Sequence, residues 1–232
     1  MPKPDALTAP VVMLPSCTFP TEDAAPERQA DLLHNLAYLR EHMPHCRIMV
    51  CDNGVKPPRV LEGVELVHDL SARSTDPSIG ECRNLIAGLD TLPDDTLVLK
   101  MHARCTLENI GSFKKFQAEH TEFLLVSPNV WGKEAAGYDE MPYCETRVFA
   151  LRAGTMRRLL AETLALLETH GGRIEQALLS VVLRDPKDAA YATTRGPFFP
   201  VMGGTSGHGR QYGSLLSRAR SKVKAGIYRF GF

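Results

Sequence analysis

Two basic residues four positions apart accompany an apolar stretch of this sequence, and together they are suited to binding an anion. Lys100 lies inside the run Leu97–Met101, and Arg104 follows closely enough for a turn to bring it back. A charged side chain in an apolar strand is costly unless it is paired or reaches the strand's end. Two cations there can neutralise a diphosphate group. The alternative is that Lys100 pairs with a structural carboxylate.

Polar residues also follow the first two predicted strands. Ser16 comes after the first apolar run, and Asp52 and Asn53 come at the end of the second. Ligands of open α/β sheets bind beyond the carboxyl ends of the strands, so these residues and the two cations are expected to share one cleft. Asp52 is suited to holding a ribose hydroxyl or a base edge. The alternative is that Asp52-Asn53-Gly54 is simply a turn.

A predicted helix that begins near Ser78 adds two more candidates. Ser78 and Glu81 have the spacing of a capping box, in which the hydroxyl accepts from the Glu81 amide and the carboxylate reaches back. Arg83 and Asn84 fall on the flank of this helix, beside its apolar stripe. Backbone amides at a helix N-terminus favour anions, so Arg83 is a candidate contact for a diphosphate. The alternative is that this flank is a solvated face.

The chain changes character after about residue 196, where glycine, hydroxyl and basic residues dominate. Four residues of a glycine-rich segment are candidates for phosphate contact, namely Thr205, Ser206, His208 and Arg210. Glycines let backbone amides approach a phosphate closely, so the segment is a candidate phosphate-binding flap. The alternative is a loop without a ligand.

The C-terminal end is basic and amphipathic. Six cations from Arg210 onward meet no acidic residue, and apolar and aromatic residues lie between them. This composition suits peripheral contact with an anionic membrane surface. The alternative is that the aromatic residues pack on the domain and the cations are solvated.

Several function classes lack their motifs or their composition here. The turn after the first strand has no G-x-G-x-x-G pattern, and neither G-x-x-x-x-G-K-[ST] nor G-x-S-x-G occurs anywhere in the chain. These absences weigh against dinucleotide-dependent dehydrogenases, P-loop NTPases and α/β-hydrolases. With 27 acidic and 27 basic residues, the chain has no general positive field for nucleic acid.

The cysteines and the N-terminus indicate a cytoplasmic protein. The six cysteines are scattered without a Cys-x-x-Cys pair, as expected in a reducing compartment. The first apolar run, Val11–Leu14, is broken by Pro15 and is too short to span a bilayer. His42 and His45 are spaced like metal ligands, but they fall at a predicted helix end, where a surface turn is the better interpretation. We therefore expect no metal site.

The elements that must position these residues alternate along the chain. Short apolar runs predict strands at Val11–Leu14, Arg47–Cys51, Val64–Val67, Thr96–Met101, Phe123–Val126 and Arg147–Leu151. Apolar residues at helical spacing predict helices around Leu36, Leu85, Phe113 and Leu160, and at Ile174–Leu183. This alternation predicts one α/β domain with a mostly parallel sheet flanked by helices. Residues 1–202 are expected to form it, and residues 203–232 to be its glycine-rich loop and basic tail.

In this order of features the chain resembles bacterial capsule and O-antigen glycosyltransferases of the GT-A type. In many of these enzymes the strand that otherwise ends in an Asp-x-Asp metal site ends in a motif like Lys-x-Thr-Gly-Arg-Tyr. The matching stretch here is Lys100-Met101-His102-Ala103-Arg104-Cys105, in which the lysine and the arginine match and the other motif positions differ. The resemblance covers Val11 to about Phe116, and Glu145 to Leu183 more faintly.

The resemblance implies a GT-A-like, Rossmann-like enzyme that moves a sugar from a nucleotide-sugar donor to a glycan or lipid-linked acceptor in surface polysaccharide synthesis. The nucleotide sugar is then a substrate, and no cofactor is expected. Cations would replace the divalent metal in stabilising the leaving diphosphate. A sugar nucleotidyltransferase and a non-catalytic nucleotide- or glycan-binding module are the alternatives.

An inverting transfer also needs a general base. The candidates are Asp139, Glu145 and Glu175. For Glu175 the alternative is that a carboxylate in the first turn of a helix complements the helix dipole.

Overall fold

In the computed structural model, the described residues are 9–23, 26–127, 143–193, 198 and 200–204, together with 215, 216, 219, 222, 223 and 226. The central sheet has the strand order β3-β2-β1-β4-β7. Its strands are β1 (Val11–Ser16), β2 (Arg47–Asp52), β3 (Glu65–His68), β4 (Leu97–Met101) and β7 (Val148–Arg152). The first four run parallel to their neighbours, and β7 is antiparallel to β4. This sheet confirms the predicted α/β class with a mostly parallel centre.

A smaller sheet continues from the edge of the central one. It has the order β6-β5-β8, with β5 (Leu124–Ser127), β6 (Tyr143–Cys144) and β8 (Ala192–Thr193). An antiparallel bridge between Phe123 and Ala150 connects it to β7. β6 and β8 were not predicted, because two residues carry no detectable alternation of apolar and polar side chains.

Helices cover both faces of the central sheet. They are α1 (Glu27–His42), α2 (Pro77–Leu89), α3 (Ile110–Glu119), α4 (Ala153–His170), α5 (Ile174–Val182) and the short α6 (Pro186–Ala189). One core cluster joins the sheet to α2, α4 and α5, and the other joins it to α1 and α3. Successive residues of a strand point to opposite faces, so Val11 and Met13 pack in the first cluster while Val12 and Leu14 pack in the second.

The same alternation determines the face of the sheet on which the Lys100 side chain of β4 lies. Val98 belongs to the core beside α2 and α5, and Leu99 belongs to the opposite core. Lys100 stands two residues after Val98 and therefore faces α2 and α5. The sequence thus sends a lysine into the layer in which those two helices begin.

The start of α2 differs from the predicted capping box. Asp76 is the N-cap, and its carboxylate accepts from the amides of Ser78, at 2.7 Å, and Ile79, at 3.3 Å. Pro77 occupies the first helical position, where its missing N–H costs nothing. This Asp-Pro pair starts the helix before Ser78, whose hydroxyl instead accepts from the Ile174 amide at 3.3 Å. The capping box is therefore wrong, and the Glu81 carboxylate is available for another partner.

The segment between β4 and α3 pairs with a distant part of the chain. Leu107 forms an antiparallel bridge with Met202, and α3 starts only at Ile110. The chain around residues 201–203 thus returns to the segment that follows β4. None of the helices in the described part of the chain is long and apolar enough to cross a membrane.

Candidate functional site

A buried lysine lies at the centre of a charged group beyond β4. The Lys100 side chain is 0% exposed, and its Nζ lies 2.6 Å from Oε1 of Glu81. The ammonium group also donates to the Thr146 carbonyl, and the Phe149 ring centroid lies 5.8 Å from Nζ. Of the two interpretations of Lys100 that the sequence allowed, the structure shows pairing with a carboxylate of the protein. Lys100 pairs with a carboxylate of α2.

Two of the predicted base candidates lie beside this lysine. Glu145 is buried and accepts from Nε of Arg147 at 2.5 Å, so its charge is compensated by a neighbouring cation. Glu175, in the first turn of α5, accepts a hydrogen bond from the Thr146 hydroxyl at 3.4 Å. We call Lys100, Glu81, Glu145, Arg147 and Glu175 the lysine cluster.

Glu175 has the properties of a proton acceptor. Burial raises the pKa of its carboxyl group above the ordinary value of 4.5, and the negative charges of Glu81 and Glu145 raise it further. The positive charge of Lys100 acts in the opposite direction. Among the described residues no cation forms a salt bridge with Glu175, unlike Glu81 and Glu145. A carboxylate with a raised pKa and no ion pair is well suited to general base catalysis.

His102 follows β4, two residues after Lys100. Burial lowers the pKa of its imidazole well below 6.5, and the positive charges of Lys100, Arg147 and Arg104 lower it further. The ring is therefore neutral at physiological pH and can donate or accept a hydrogen bond. Because Lys100 and Arg104 both act on it, His102 links the lysine cluster to the second group of charges, which lies beyond β1.

Three arginines from separate elements surround the loop that follows β1. Arg28, in the first turn of α1, donates to the Cys17 carbonyl at 3.0 Å, and Arg73 donates to the Pro20 carbonyl at 3.1 Å. Partial desolvation and Asp52 raise the pKa of the exposed Cys17 thiol, whereas the charges of Arg28, Arg73 and Arg104 lower it. We call these three arginines the arginine cluster.

The pKa of Arg104 depends on the charged groups around it. Burial lowers the pKa of its guanidinium group, and the like charge of Arg28 lowers it further. Asp31 acts in the opposite direction. The repulsion between Arg28 and Arg104 is relieved when an anion lies between them.

The polar residues at the ends of β1 and β2 hold the backbone together. Asp52 accepts from the amides of Thr18 and Gly54, both at 2.8 Å, and is fully buried. The Asn84 amide group donates to the Ser16 carbonyl at 2.9 Å and to the Cys51 carbonyl at 2.6 Å. These bonds fix the two strand ends that frame the loop beyond β1.

The side chains of Asn53 and Ser16 are engaged in the same way. Asn53 donates to the carbonyls of Ala72, at 3.1 Å, and Gly80, at 3.2 Å, and the Ser16 hydroxyl lies 2.8 Å from that of Thr18. All four predicted residues, Ser16, Asp52, Asn53 and Asn84, thus lie at the expected edge of the sheet. For Asp52 the bond from the Gly54 amide is the contact of a local turn, whereas the bond from the Thr18 amide joins the end of β2 to the loop after β1.

Arg83 has a different setting. Its guanidinium group forms a salt bridge with Glu168 of α4 at 2.7 Å, with both side chains partly exposed, and makes a long 3.5 Å hydrogen bond to the Arg73 carbonyl. The ion pair turns the group toward α4, so the structure gives Arg83 a protein anion in place of the predicted diphosphate.

The remaining predicted residues lie outside the described part of the chain. These are the base candidate Asp139 and the flap residues Thr205, Ser206, His208 and Arg210. The glycines that precede the flap are described. Gly203 pairs with Thr106 through two backbone hydrogen bonds, at 2.9 and 3.2 Å. Gly204, at φ +86°, packs so closely that a Cβ would lie 2.4 Å from the Arg104 carbonyl oxygen.

Four contributors to the site were missed by sequence reasoning. Glu81 was assigned to a helix cap, and Thr146 contributes its backbone carbonyl, which no residue type signals. Arg28 and Arg73 stand apart in sequence from the other candidates. One signal was available, since a cation in the first turn of a helix works against the helix dipole, and Arg28 is such a cation. Among the described residues, no three of His, Cys, Asp and Glu are grouped to hold a metal ion.

No protein-family model matches the chain, and no curated protein sequence matches it either. Solved structures do. The chain is similar to 4-diphosphocytidyl-2C-methyl-D-erythritol synthase, with a TM-score of 0.52 and 10% identity over 94% of this chain and 99% of that one. It is also similar to the galactosyltransferase LgtC, determined with donor and acceptor sugar analogues, with a TM-score of 0.51 and 12% identity over 93% and 95%. At such identities the likeness concerns the fold, and the chain has a GT-A-like α/β fold.

Proposed function

We propose that the protein is a glycosyltransferase that moves a sugar from a nucleotide-sugar donor to a glycan or lipid-linked acceptor. The observation that carries the proposal is the Glu175 carboxyl group, which combines a raised pKa with the absence of an ion pair among the described residues. It belongs to a cluster beyond β4, at the edge where an α/β sheet binds its ligands. The GT-A-like fold supports the proposal.

The proposed chemistry assigns one proton to Glu175. In an inverting transfer, the carboxylate accepts the proton of an acceptor hydroxyl while the hydroxyl oxygen forms a bond to the anomeric carbon of the donor. The bond from that carbon to the diphosphate oxygen breaks, and the nucleoside diphosphate leaves with both electrons. Cations beside the leaving group stabilise the negative charge that develops on it.

The proposal includes the family resemblance carried by Lys100 and Arg104. Capsule and O-antigen glycosyltransferases with this pattern are the class that we propose for the chain. Activity is then expected to persist in EDTA, since arginine side chains neutralise the diphosphate without a divalent ion. Complete loss of activity in EDTA, with recovery in Mg²⁺ or Mn²⁺, would contradict this part.

A donor panel is the direct test. The purified protein is incubated with UDP-, GDP-, CMP-, ADP- and dTDP-sugars, and release of the free nucleotide is measured by chromatography, with and without added glycan acceptors. A glycosyltransferase hydrolyses one donor slowly and faster with its acceptor. The fold is also similar to that of 4-diphosphocytidyl-2C-methyl-D-erythritol synthase, whose product carries a cytidyl group. A second set of incubations therefore uses CTP and the other nucleoside triphosphates. Consumption of a triphosphate with a sugar phosphate identifies a nucleotidyltransferase, and no turnover in either set rejects both.

We also propose that the C-terminal end contacts an anionic membrane at its cytoplasmic face. Leu215 and Leu216 are 86% and 75% exposed, and the nearby Lys222 is exposed as well. Each cation near an anionic surface contributes about 1 kcal/mol, and salt screens this attraction. The full chain should therefore float with phosphatidylserine liposomes at low salt and dissociate at high salt, while a chain ending at residue 212 stays in solution. Equal behaviour of both chains would reject the proposal.

A further inference from the structure

We propose that the arginine cluster, Arg28, Arg73 and Arg104, is the site that holds the diphosphate of a nucleotide. This inference rests on the proposed function for its biological meaning, since it names where the donor's diphosphate binds. It assigns that role to two residues, Arg28 and Arg73, that were not among the candidates expected from the sequence. The binding itself is testable without any turnover.

The first argument is convergence. Arg28 comes from α1, Arg73 from the segment after β3, and Arg104 from the segment after β4, yet all three act on the thiol of Cys17. Hydrogen bonds anchor Arg28 to the Cys17 carbonyl and Arg73 to the Pro20 carbonyl, at 3.0 and 3.1 Å. The loop they frame follows β1, at the edge of the sheet where ligands of this architecture bind.

The second argument is the charge balance. Within the described residues, neither Arg28 nor Arg73 forms a salt bridge with a carboxylate, in contrast to Arg83 and Arg147. The acids nearby include Asp52, which accepts two backbone hydrogen bonds, and Glu22 in the loop, which lies 4.0 Å from Lys56. In the described part of the chain, the guanidinium groups of Arg28 and Arg73 are therefore held by carbonyl oxygens and not by carboxylates.

The third argument is donor capacity. A guanidinium group has five N–H donors, and Arg28 and Arg73 each give one to a loop carbonyl. That bond fixes the group in place and leaves donors for the oxygens of an anion. Fixed, forked donors suit phosphate groups, which carry several acceptor oxygens. Lys100 cannot take this role in the same way, because its ammonium group is fully buried on Glu81.

Cys17 provides the readout. It is the exposed cysteine among the six, whereas Cys46 is partly buried and lies just before β2, at the opposite edge of the sheet. A diphosphate held by the arginines covers the thiol and cancels the charges that favour its thiolate form. We therefore expect pyrophosphate and nucleoside diphosphates to slow alkylation of Cys17 by iodoacetamide in the full-length protein, followed by peptide mass spectrometry. Alkylation of Cys46 in the same samples should not change.

Variants assign the protection to the cluster. Arg28→Gln, Arg73→Gln and Arg104→Gln should each raise the diphosphate concentration needed for protection about tenfold, as expected when one charge-assisted contact is lost. The variants Arg28→Lys, Arg73→Lys and Arg104→Lys keep the positive charge. The diphosphate concentration that they need for protection should lie between those of the glutamine variants and the parent. Arg184→Gln is the matched control, since it removes an exposed arginine outside the cluster. Thermal unfolding of every variant identifies any that has lost its fold.

The outcomes separate the two proposals. Protection by diphosphates that the glutamine variants weaken supports the arginine site, whether or not any sugar donor is turned over. Absence of protection, protection that sodium sulfate reproduces at equal ionic strength, or equal protection in all variants overturns it. A comparison of inorganic phosphate, pyrophosphate and nucleoside diphosphates shows whether the site selects the diphosphate unit. Failure of the donor panel alone would leave the site intact and reject only the glycosyltransferase.

Discussion

The lysine cluster and the arginine cluster lie at the same edge of the sheet but differ in how far their cations are buried and in what compensates their charge. In the lysine cluster, Lys100 is buried and Arg147 is largely buried, and each forms a salt bridge with a carboxylate of its own chain. In the arginine cluster, Arg73 is exposed and Arg28 is partly exposed, and the loop between them holds an exposed thiol. Lys100 and Arg147 of the first cluster and Arg104 of the second all lower the pKa of His102, which follows β4.

The difference shows how burial decides what a charge does. A buried ion must be compensated within the protein, because the loss of hydration costs several kcal/mol unless a partner replaces it. An exposed cation is compensated by water and can exchange that water for a ligand. Lys100 is therefore held by partners within the protein, whereas Arg28 and Arg73 can exchange their water for an anion from solution. The following predictions test this division.

The largest effect on stability is expected from removing the buried lysine. Lys100→Met leaves Glu81 without its partner and should lower the free energy of unfolding by about 3–5 kcal/mol. Adding Glu81→Gln should restore much of this loss, because the uncompensated charge is then gone. Urea unfolding of the two single variants and the double variant measures the coupling. A loss below about 1 kcal/mol, typical of an exposed pair, would show that the lysine is not truly buried.

The largest effect on activity is expected at Glu175. Glu175→Gln keeps the shape of the side chain and removes its ability to accept a proton, so transfer should slow by about 10²–10⁴-fold. Donor binding should change little, because the arginines carry that role. Steady-state rates with the best donor of the panel and binding of its nucleoside diphosphate measure the two effects separately. Equal losses in rate and binding would contradict a role as the base.

The raised pKa of Glu175 predicts the direction in which the rate and the stability change with pH. The parent rate should rise with pH as the carboxyl group loses its proton, with a midpoint above the ordinary value of 4.5. Because the folded protein binds this proton more tightly than the unfolded chain, raising the pH through that range lowers the folding stability. Glu175→Gln should remove this loss, so at neutral pH its melting temperature should equal or exceed that of the parent. A lower melting temperature would indicate a structural role instead.

The sequence predicted the layered fold because its signals are local. Six of the eight strands in the described residues and all the long helices are marked by apolar runs or periodic apolar residues, and the predicted bounds differ by a few positions at most. The polar residues at the ends of β1 and β2 also fall at the predicted edge. The start of α2 could not be read as reliably, since Asp76-Pro77 and Ser78–Glu81 are both acceptable cap signals and only their packing against Ile174 separates them.

The site was harder to predict because its contacts are between distant segments. Lys100 was predicted to contact a diphosphate, but in the structure its partners are Glu81, on a helix, and the backbone carbonyl of Thr146. Arg28 and Arg73 are separated from Arg104 by 76 and 31 positions, and nothing in one sequence couples them. Spacing along the chain reveals groups that share an element. Groups that several elements build together need the strand order.

The smallest effect is expected at Arg83, and it tests the comparison most finely. Arg83 is partly exposed and has an anionic partner in Glu168, so it should behave as a satisfied surface ion pair. Arg83→Gln should lower the free energy of unfolding by about 0–1 kcal/mol and leave diphosphate protection of Cys17 nearly unchanged. Arg73→Gln, measured beside it in the same alkylation assay, should weaken that protection about tenfold. The two variants remove the same group, and the comparison tests the effect of the carboxylate that accompanies Arg83. If both variants weaken protection equally, the electric field of all nearby cations governs anion binding. The proposed distinction between Arg73 and Arg83 is then wrong.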